Sequence, residues 1–216
     1  MMIFVLAASL AQDASLGVFT HAGDVGQPAM AGSTVFDSST GEYKITGAGE
    51  NMLAKKDQFQ FVWREVTGNF ALTATMRFLG QGAAHRKAGI VVRQSLDASS
   101  AYADAILHGD GMPAVQWRSR TGEDTNAFDF PSQTPGTYQV KMVRTGVKIF
   151  MYLAKEDGEL KELAHTEVTL GNPVLVGLGV CSHLATESTA VVFSKVSIEA
   201  LPAAPPAKPQ SAQPKA

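Results

Sequence analysis

Two-residue alternation of apolar and polar side chains, repeated along most of the chain, is the feature that most limits the fold. In "NFALTATMRF" (69–78), Phe70, Leu72, Ala74, Met76 and Phe78 fall on one side, with Thr73, Thr75 and Arg77 on the other. A strand sends successive side chains to opposite faces, so this period belongs to a half-buried β-strand. "DQFQFVW" (57–63) alternates in the same way, with Phe59, Phe61 and Trp63 opposed to Gln60 and Val62. Comparable stretches cover 88–95, 101–108, 114–120, 137–144, 147–153, 174–181 and 190–199. The breaks between them carry glycine ("VTGNF", "HGDG", "RTGED", "RTGVK", "EDGEL"). Glycine takes the positive φ of tight hairpin turns without steric cost. About ten strands with evenly spaced turns predict an all-β, two-sheet antiparallel β-sandwich of the jelly-roll kind. No internal repeat points to a propeller.

A chain of 216 residues with 45% hydrophobic and 18% charged residues suits one medium domain with a real core. The formal net charge of -2 gives none of the basic bias that nucleic acid or an anionic membrane would require. Cys181 is the single cysteine, which rules out a disulfide within the chain and a cysteine-rich zinc site. Its apolar setting, "VLVGLGVCSH", predicts a buried small side chain.

The N-terminal "MMIFVLAASLAQDA" reads as an export signal. Residues 3–11 are apolar, and Ser9 and Ala11 are small at the -3 and -1 positions of a cleavage site before Gln12, although no Lys or Arg precedes the run. Residues 1–11 are therefore expected to be a signal peptide, and the product periplasmic or extracellular. This run is too short to span a bilayer, and no later segment approaches the length needed. The jelly-roll domain is expected over 17–200. The final "LPAAPPAKPQSAQPKA" (201–216) holds five of the ten prolines and no apolar period, so it reads as a disordered or polyproline-like tail.

Alternation also sorts the polar residues. In "KAGIVVRQS", Lys87 and Arg93 share a face with Gly89 and Val91, opposite Ala88, Ile90 and Val92. In "AYADAILHG", Tyr102, Asp104 and His108 oppose Ala101, Ala103, Ala105 and Leu107. In "PAVQWRSR", Gln116 and Arg118 oppose Val115 and Trp117. If these strands neighbour one another, their polar sides merge into a platform of mixed donors and acceptors suited to a ligand rich in hydroxyls. The competing reading is a sheet face turned to water, with Arg93 and Asp104 as a surface ion pair. Trp63 and Trp117 are expected to pack in the core.

The ordered series "GDVG" (23–26), "YKITGAGENM" (43–52), "DQFQFVWREVTGNFALTATMRF" (57–78), "RKAGIVVRQSLDASSAYADAILHGDG" (86–111), "VQWRSRTG" (115–122) and "VGLGVCSHLATESTAVVFSKV" (176–196) resembles a bacterial family of concanavalin A-like domains, the "regulation of enolase"-like group. Some of its members form the first domain of proteins with a Tol-B-type propeller. The resemblance covers roughly 18–199 and is followed at Lys87, Arg93, Tyr102, His108 and His183. Here only the Pro/Ala tail follows, which sets the chain apart from the propeller proteins. The family implies a jelly roll with a concave sheet face where sugar-binding relatives hold their ligands. It does not imply one activity, because this fold hosts lectins, glucanases and interaction domains.

No E-x-D-x-E spacing is present, so the paired carboxylates of a glucanase strand are missing. No G-x-S-x-G or nucleotide-binding glycine motif occurs either. His85, His108 and His183 lack the spacing of a zinc site. Calcium is the metal that lectin-like sandwiches often hold in Asp/Asn-rich loops, but "HGDG", "GEDTN" and "GDVG" lack the dense acidic run of a dedicated loop, so no cofactor is expected. The basic His85-Arg86-Lys87 could face a carboxylate or sulfate. The expectation is an exported, non-catalytic, lectin-like module that binds a glycan through Lys87, Arg93, Tyr102, Asp104, His108, Gln116, Arg118 and His183. The alternatives are a cell-envelope protein-interaction domain without a sugar ligand, and a glycoside hydrolase with an unrecognised acid pair.

Overall fold

The alternating segments become strands of two large sheets. The structure, a computed structural model, describes residues 15–203; the expected signal peptide and residues 204–216 of the tail lie outside them. One seven-stranded sheet runs in the order β1 (His21–Val25), β6 (Phe59–Val66), β15 (Val174–Cys181), β8 (Lys87–Arg93), β9 (Tyr102–His108), β10 (Pro113–Arg118), β11 (Asn126–Asp129). The other seven-stranded sheet runs β14 (Lys161–Glu167), β13 (Lys148–Lys155), β12 (Tyr138–Thr145), β7 (Asn69–Leu79), β16 (Leu184–Leu201), β3 (Glu42–Gly49), β2 (Ser33–Asp37). A short hairpin, β4 (Met52–Leu53) with β5 (Lys56–Asp57), stands apart from both. All strand pairs are antiparallel, and the fold is a two-sheet jelly roll.

The four edge strands, β1, β2, β11 and β14, lie outside the stretches that alternation marks. At the sheet edges, with β11 exposed along its length, little apolar material is needed to hold them. Leu201 closes β16, one residue past the expected domain end.

Between the sheets lies the main core. Phe70, Leu72, Ala74 and Met76 of β7 share it with Ala88, Ile90 and Val92 of β8 and Ala103, Ala105 and Leu107 of β9, on the faces that alternation assigns. Trp117 packs at its margin. Trp63 packs elsewhere. It joins Phe59, Phe61, Val91, Tyr102, Cys181 and Met52 in a second apolar cluster on the outer face of the first sheet, the face turned away from the second sheet.

That outer face is covered by the chain itself. Strands β8 and β9 are buried at every position, so both of their faces are shielded from water. The cover is the β4–β5 hairpin together with the loop at 95–100. The hairpin leaves β3 at Gly49, where φ is +112° and a Cβ would lie 2.2 Å from the Gln58 carbonyl oxygen, so only glycine closes its base. Ala54 at its tip is also left-handed, with φ 57°.

Asp57, at the end of the hairpin, is 1% exposed and ties the cover to the sheet. Arg118 donates Nη2 to Asp57 Oδ1 at 2.8 Å and Nη1 to Oδ2 at 3.1 Å, a two-pronged ion pair. Arg93 Nη1 stands 3.3 Å from the same Oδ2 without hydrogen-bond alignment. The remaining donors of both arginines go to loop carbonyls: Arg93 to Ser95 and Asp97, Arg118 to Ala54, Ala98 and Ser100.

Removing one member of a buried, hydrogen-bonded ion cluster strands its partners. Asp57→Ala should therefore cost about 3–5 kcal/mol of stability, read as a lower urea midpoint. Arg120→Ala, which removes an exposed partner of Glu123, should leave the midpoint unchanged.

Candidate functional site

Seven of the eight side chains expected to face a ligand, all but His183, share the outer face of the first sheet, but the hairpin divides them. The β8–β9 register sets Lys87 opposite His108 and Arg93 opposite Tyr102; the β9–β10 register sets Asp104 opposite Gln116 and Tyr102 opposite Arg118. Arg93, Tyr102 and Arg118 form one end of this array. They are 0–1% exposed, and the Tyr102 hydroxyl donates to the Met52 carbonyl at 3.1 Å beneath the hairpin. These three, expected to face a ligand, instead lie buried beneath the hairpin. Their polar groups are spent on Asp57 and on loop carbonyls, because a polar sheet face can be satisfied by the chain's own backbone as well as by water. The surface ion pair between Arg93 and Asp104 is corrected, since Arg93 pairs with Asp57.

The other end stays open. Past the hairpin lies a cleft of about 290 Å³, small but near the size of ordinary ligand pockets. Lys87, His108 and Gln116 come to it from β8, β9 and β10. His183, from the turn between β15 and β16, and His85, from the loop before β8, border it with Asp129 of β11. Asn51, Leu53 and Met112 complete the walls. The imidazole of His85 is 5.5 Å from that of His108 and 5.8 Å from that of His183, centroid to centroid. His183 is held at φ 63°, a left-handed conformation that costs a non-glycine residue roughly 1–2 kcal/mol.

Several polar atoms at this end lack partners. Gln116 Oε1 and His183 Nδ1 are buried without a hydrogen bond, and so is Oδ2 of Asp104. Asp104 is fully buried and does not line the cleft; its Oδ1 accepts from the Gln116 amide at 3.1 Å. Asp104 thus stands beside Gln116, behind the residues that line the cleft. Lys87 donates Nζ to Asn51 Oδ1 at 2.6 Å, which leaves two ammonium hydrogens for other acceptors.

Burial sets the charge state here. It drives the Asp104 carboxyl well above its usual range, with Lys87 and the Gln116 amide opposing, and it lowers the Lys87 ammonium, with Asp104 opposing. Both groups are pushed toward their neutral forms. Burial also lowers His183 and takes His108 down to about 4, so His108 is neutral at pH 7. Its Nδ1 lies 2.9 Å from the Met112 carbonyl oxygen, which can only accept, so Nδ1 carries the proton and Nε2 is an acceptor. Cys181 is buried, and burial pushes its thiol up to about 11, as its apolar setting implies.

Among the described residues, no group of three or more His, Cys, Asp or Glu side chains is arranged to hold a metal ion. No helix among them is long and apolar enough to cross a membrane. Sequence reasoning missed Asn51 and Leu53, which reach the cleft only because the hairpin folds back over the sheet. Asp129 belongs to an exposed edge strand with no marked alternation.

No protein-family model and no curated protein sequence matches the chain. Solved structures do. A functionally unknown protein from Saccharomyces cerevisiae superposes with a TM-score of 0.63 at 14% identity, over 78% of this chain and 92% of that one. A GH43 protein from Bacillus licheniformis gives 0.59 at 16% identity, over 83% of this chain but 39% of its own. The carbohydrate binding module CBM66 from Bacillus subtilis gives 0.55 at 14% identity, over 85% of this chain and 98% of that one. At such identities the likeness shows the fold alone, the two-sheet jelly roll.

The titration of His108 has a measurable consequence. The folded value lies below the unfolded 6.5, so the folded state resists protonation that the unfolded state accepts, and stability present above pH 6.5 is lost as the pH falls toward 4. The loss is bounded near ~3 kcal/mol by the size of the shift. Asp104 acts in the opposite sense, since a raised carboxyl favours the folded state at low pH. Urea unfolding between pH 7 and 4 should therefore show a flatter profile in His108→Gln and a steeper loss in Asp104→Asn than in the parent.

Proposed function

We propose that the chain is an exported, non-catalytic carbohydrate-binding module that holds one sugar residue, or the end of a glycan, in the cleft between Lys87, His108, Gln116 and His183. The observation that carries this reading is the set of unpartnered buried atoms at a small open cleft: Gln116 Oε1 and His183 Nδ1. A buried polar atom without a partner costs about 1–3 kcal/mol, which a ligand supplying the missing hydrogen bond would recover. Vicinal hydroxyls both donate and accept. They suit Gln116 Oε1 and His108 Nε2 as acceptors and the Lys87 ammonium as donor, while Leu53 and Met112 offer apolar surface to the C–H side of a sugar ring. The fold it shares with a carbohydrate binding module is consistent with this reading.

Asp129 is the single carboxylate lining the cleft, and a hydrolase acting on a glycosidic bond needs two within reach. The filled half of the outer face supports a second reading, a protein-interaction domain of the cell envelope with no sugar ligand.

Binding of the purified chain to a broad glycan array, with and without calcium, separates the readings. A specific hit that weakens about tenfold or more in Gln116→Leu and in His183→Ala, but not in Arg120→Ala, is the expected result. Silence across the array would overturn the sugar reading in favour of a protein partner. A hit that disappears without calcium would overturn the metal-free reading of the cleft.

A further inference from the structure

Arginine is always charged, so a buried guanidinium must find acceptors. Four arginines are buried among the described residues: Arg86, Arg93, Arg118 and Arg144. Arg93 and Arg118 share Asp57. Arg144 has no carboxylate, but its Nε, Nη1 and Nη2 donate to the Gly146 carbonyl, to Asn172 Oδ1 and to the Leu170 carbonyl. Arg86 differs from all three. It is 6% exposed, and it donates Nη2 to the Gly80 carbonyl at 3.0 Å and Nη1 to Thr189 Oγ1 at 3.3 Å. Nε is buried with no partner. Two of five N–H donors are thus used, both on neutral acceptors. Burial lowers the guanidinium from its usual value with no carboxylate opposing.

Arg86 lines a cleft of about 410 Å³ at one end of the sandwich, separate from the sugar cleft and touching it only through His108, which borders both. The guanidinium lies 4.7 Å above the Phe78 ring, which fixes its plane. Gly82 and Gly109 give it room, since a Cβ on either would fall within 2.8 Å of Arg86 side-chain atoms. Arg77, exposed on β7, adds a second positive charge, and no acidic side chain lines the cleft. The nearby Asp110 is turned to the Met112 amide, from which its Oδ1 accepts at 3.0 Å.

We propose that this cleft is an anion-binding site, in which the free edge of Arg86, helped by Arg77, holds a carboxylate or sulfate group of a small acidic molecule. The anion takes the place of the counter-charge that Asp57 gives to Arg93 and Arg118. A planar carboxylate matches the guanidinium fork with two parallel N–H···O bonds, and a sulfate oxyanion presents comparable acceptors. The site does not depend on the sugar cleft.

The test is nuclear magnetic resonance of arginine Nε–H groups in the full chain, titrated separately with sodium acetate and sodium sulfate against sodium chloride at matched ionic strength. The Arg86 signal, assigned by its absence in Arg86→Lys, should shift saturably with acetate or sulfate and not with chloride. The tighter of the two identifies the natural group as carboxylate or sulfate. Loss of the fork and of the charge in Arg86→Gln should weaken binding, followed at the Gly80 and Gly109 amides, by about tenfold or more. Arg77→Gln, an exposed change that leaves folding intact, should weaken it several-fold, and Gln116→Leu should leave it unchanged. An Arg86 signal that neither anion moves would overturn the proposal, as would glycine shifts that persist in Arg86→Gln. If Arg86→Gln does not fold, Arg86→Lys and Arg77→Gln decide the matter by the same amide shifts. Anion binding with a silent glycan array would leave this site standing and remove the sugar site, and the converse would do the reverse.

Discussion

The Asp57 carboxylate, held by Arg118 and faced by Arg93, is the interaction on which the outer face of this sandwich depends. A two-sheet jelly roll needs only the core between its sheets. This chain adds a third layer over part of one sheet, and that layer has little apolar material of its own: Met52 is its contribution to the second cluster. The rest is polar. Asp57 reaches down, Arg93 and Arg118 reach up, and the carbonyls of Ala54, Ser95, Asp97, Ala98 and Ser100 receive the remaining N–H groups. The arrangement is mutual. Without Asp57 two guanidiniums lie buried without a counter-ion, and without the arginines the loop carbonyls lose their donors. The aromatic rings of Phe59 and Tyr102, 5.3 and 5.0 Å from the two guanidinium carbons, complete an environment in which buried positive charge is tolerated.

The same layer decides what the protein can bind. An uncovered sheet face would offer a long groove able to hold several sugar residues. Here the hairpin fills the end holding Arg93, Tyr102 and Arg118, and what remains is the cleft at Lys87, His108 and Gln116. The hairpin also builds that cleft, because Asn51 and Leu53 form its wall and Asn51 accepts from Lys87. Covering one end and shaping the other are two results of one chain reversal. A ligand that fits is short, or presents only its end.

Alternation made the faces legible. The placement of Lys87, Arg93, Tyr102, Asp104, His108, Gln116 and Arg118 on one side of three adjacent strands follows from period alone, and the β8–β9–β10 order agrees. What covers that side could not be read in the same way. Water and a loop satisfy a polar side chain equally well, so a polar face looks alike whether it is exposed, bound to a ligand or packed under a hairpin. Asp57 follows Lys55 and Lys56 at the start of the alternating 57–63 stretch, and only its burial at 1% exposure marks it as the centre of a cluster. Asn51 is equally mute, since its role comes from a contact 36 residues away in the chain. The signal that could have raised suspicion was the number of arginines on the inferred face, because two guanidiniums among apolar strands imply a carboxylate somewhere in the chain.

That reasoning, applied to every buried arginine, separates architecture from function. Where a guanidinium has its counter-charge or a full set of carbonyls, as at Arg93, Arg118 and Arg144, the residue is explained by the fold, and a ligand would have to displace existing bonds to reach it. Where donors remain unspent beside an open cleft, as at Arg86, the fold does not explain the charge. The neutral atoms follow the same logic. Gln116 Oε1 and His183 Nδ1 are left without partners, and both belong to residues that line the cleft. Of the unpartnered buried atoms, those of Arg86, Gln116 and His183 belong to residues that line two neighbouring clefts, which meet at His108. A side chain held neutral by burial is suited to that boundary. It stands between the positive Arg86 cleft and the cleft proposed for a sugar without adding charge to either.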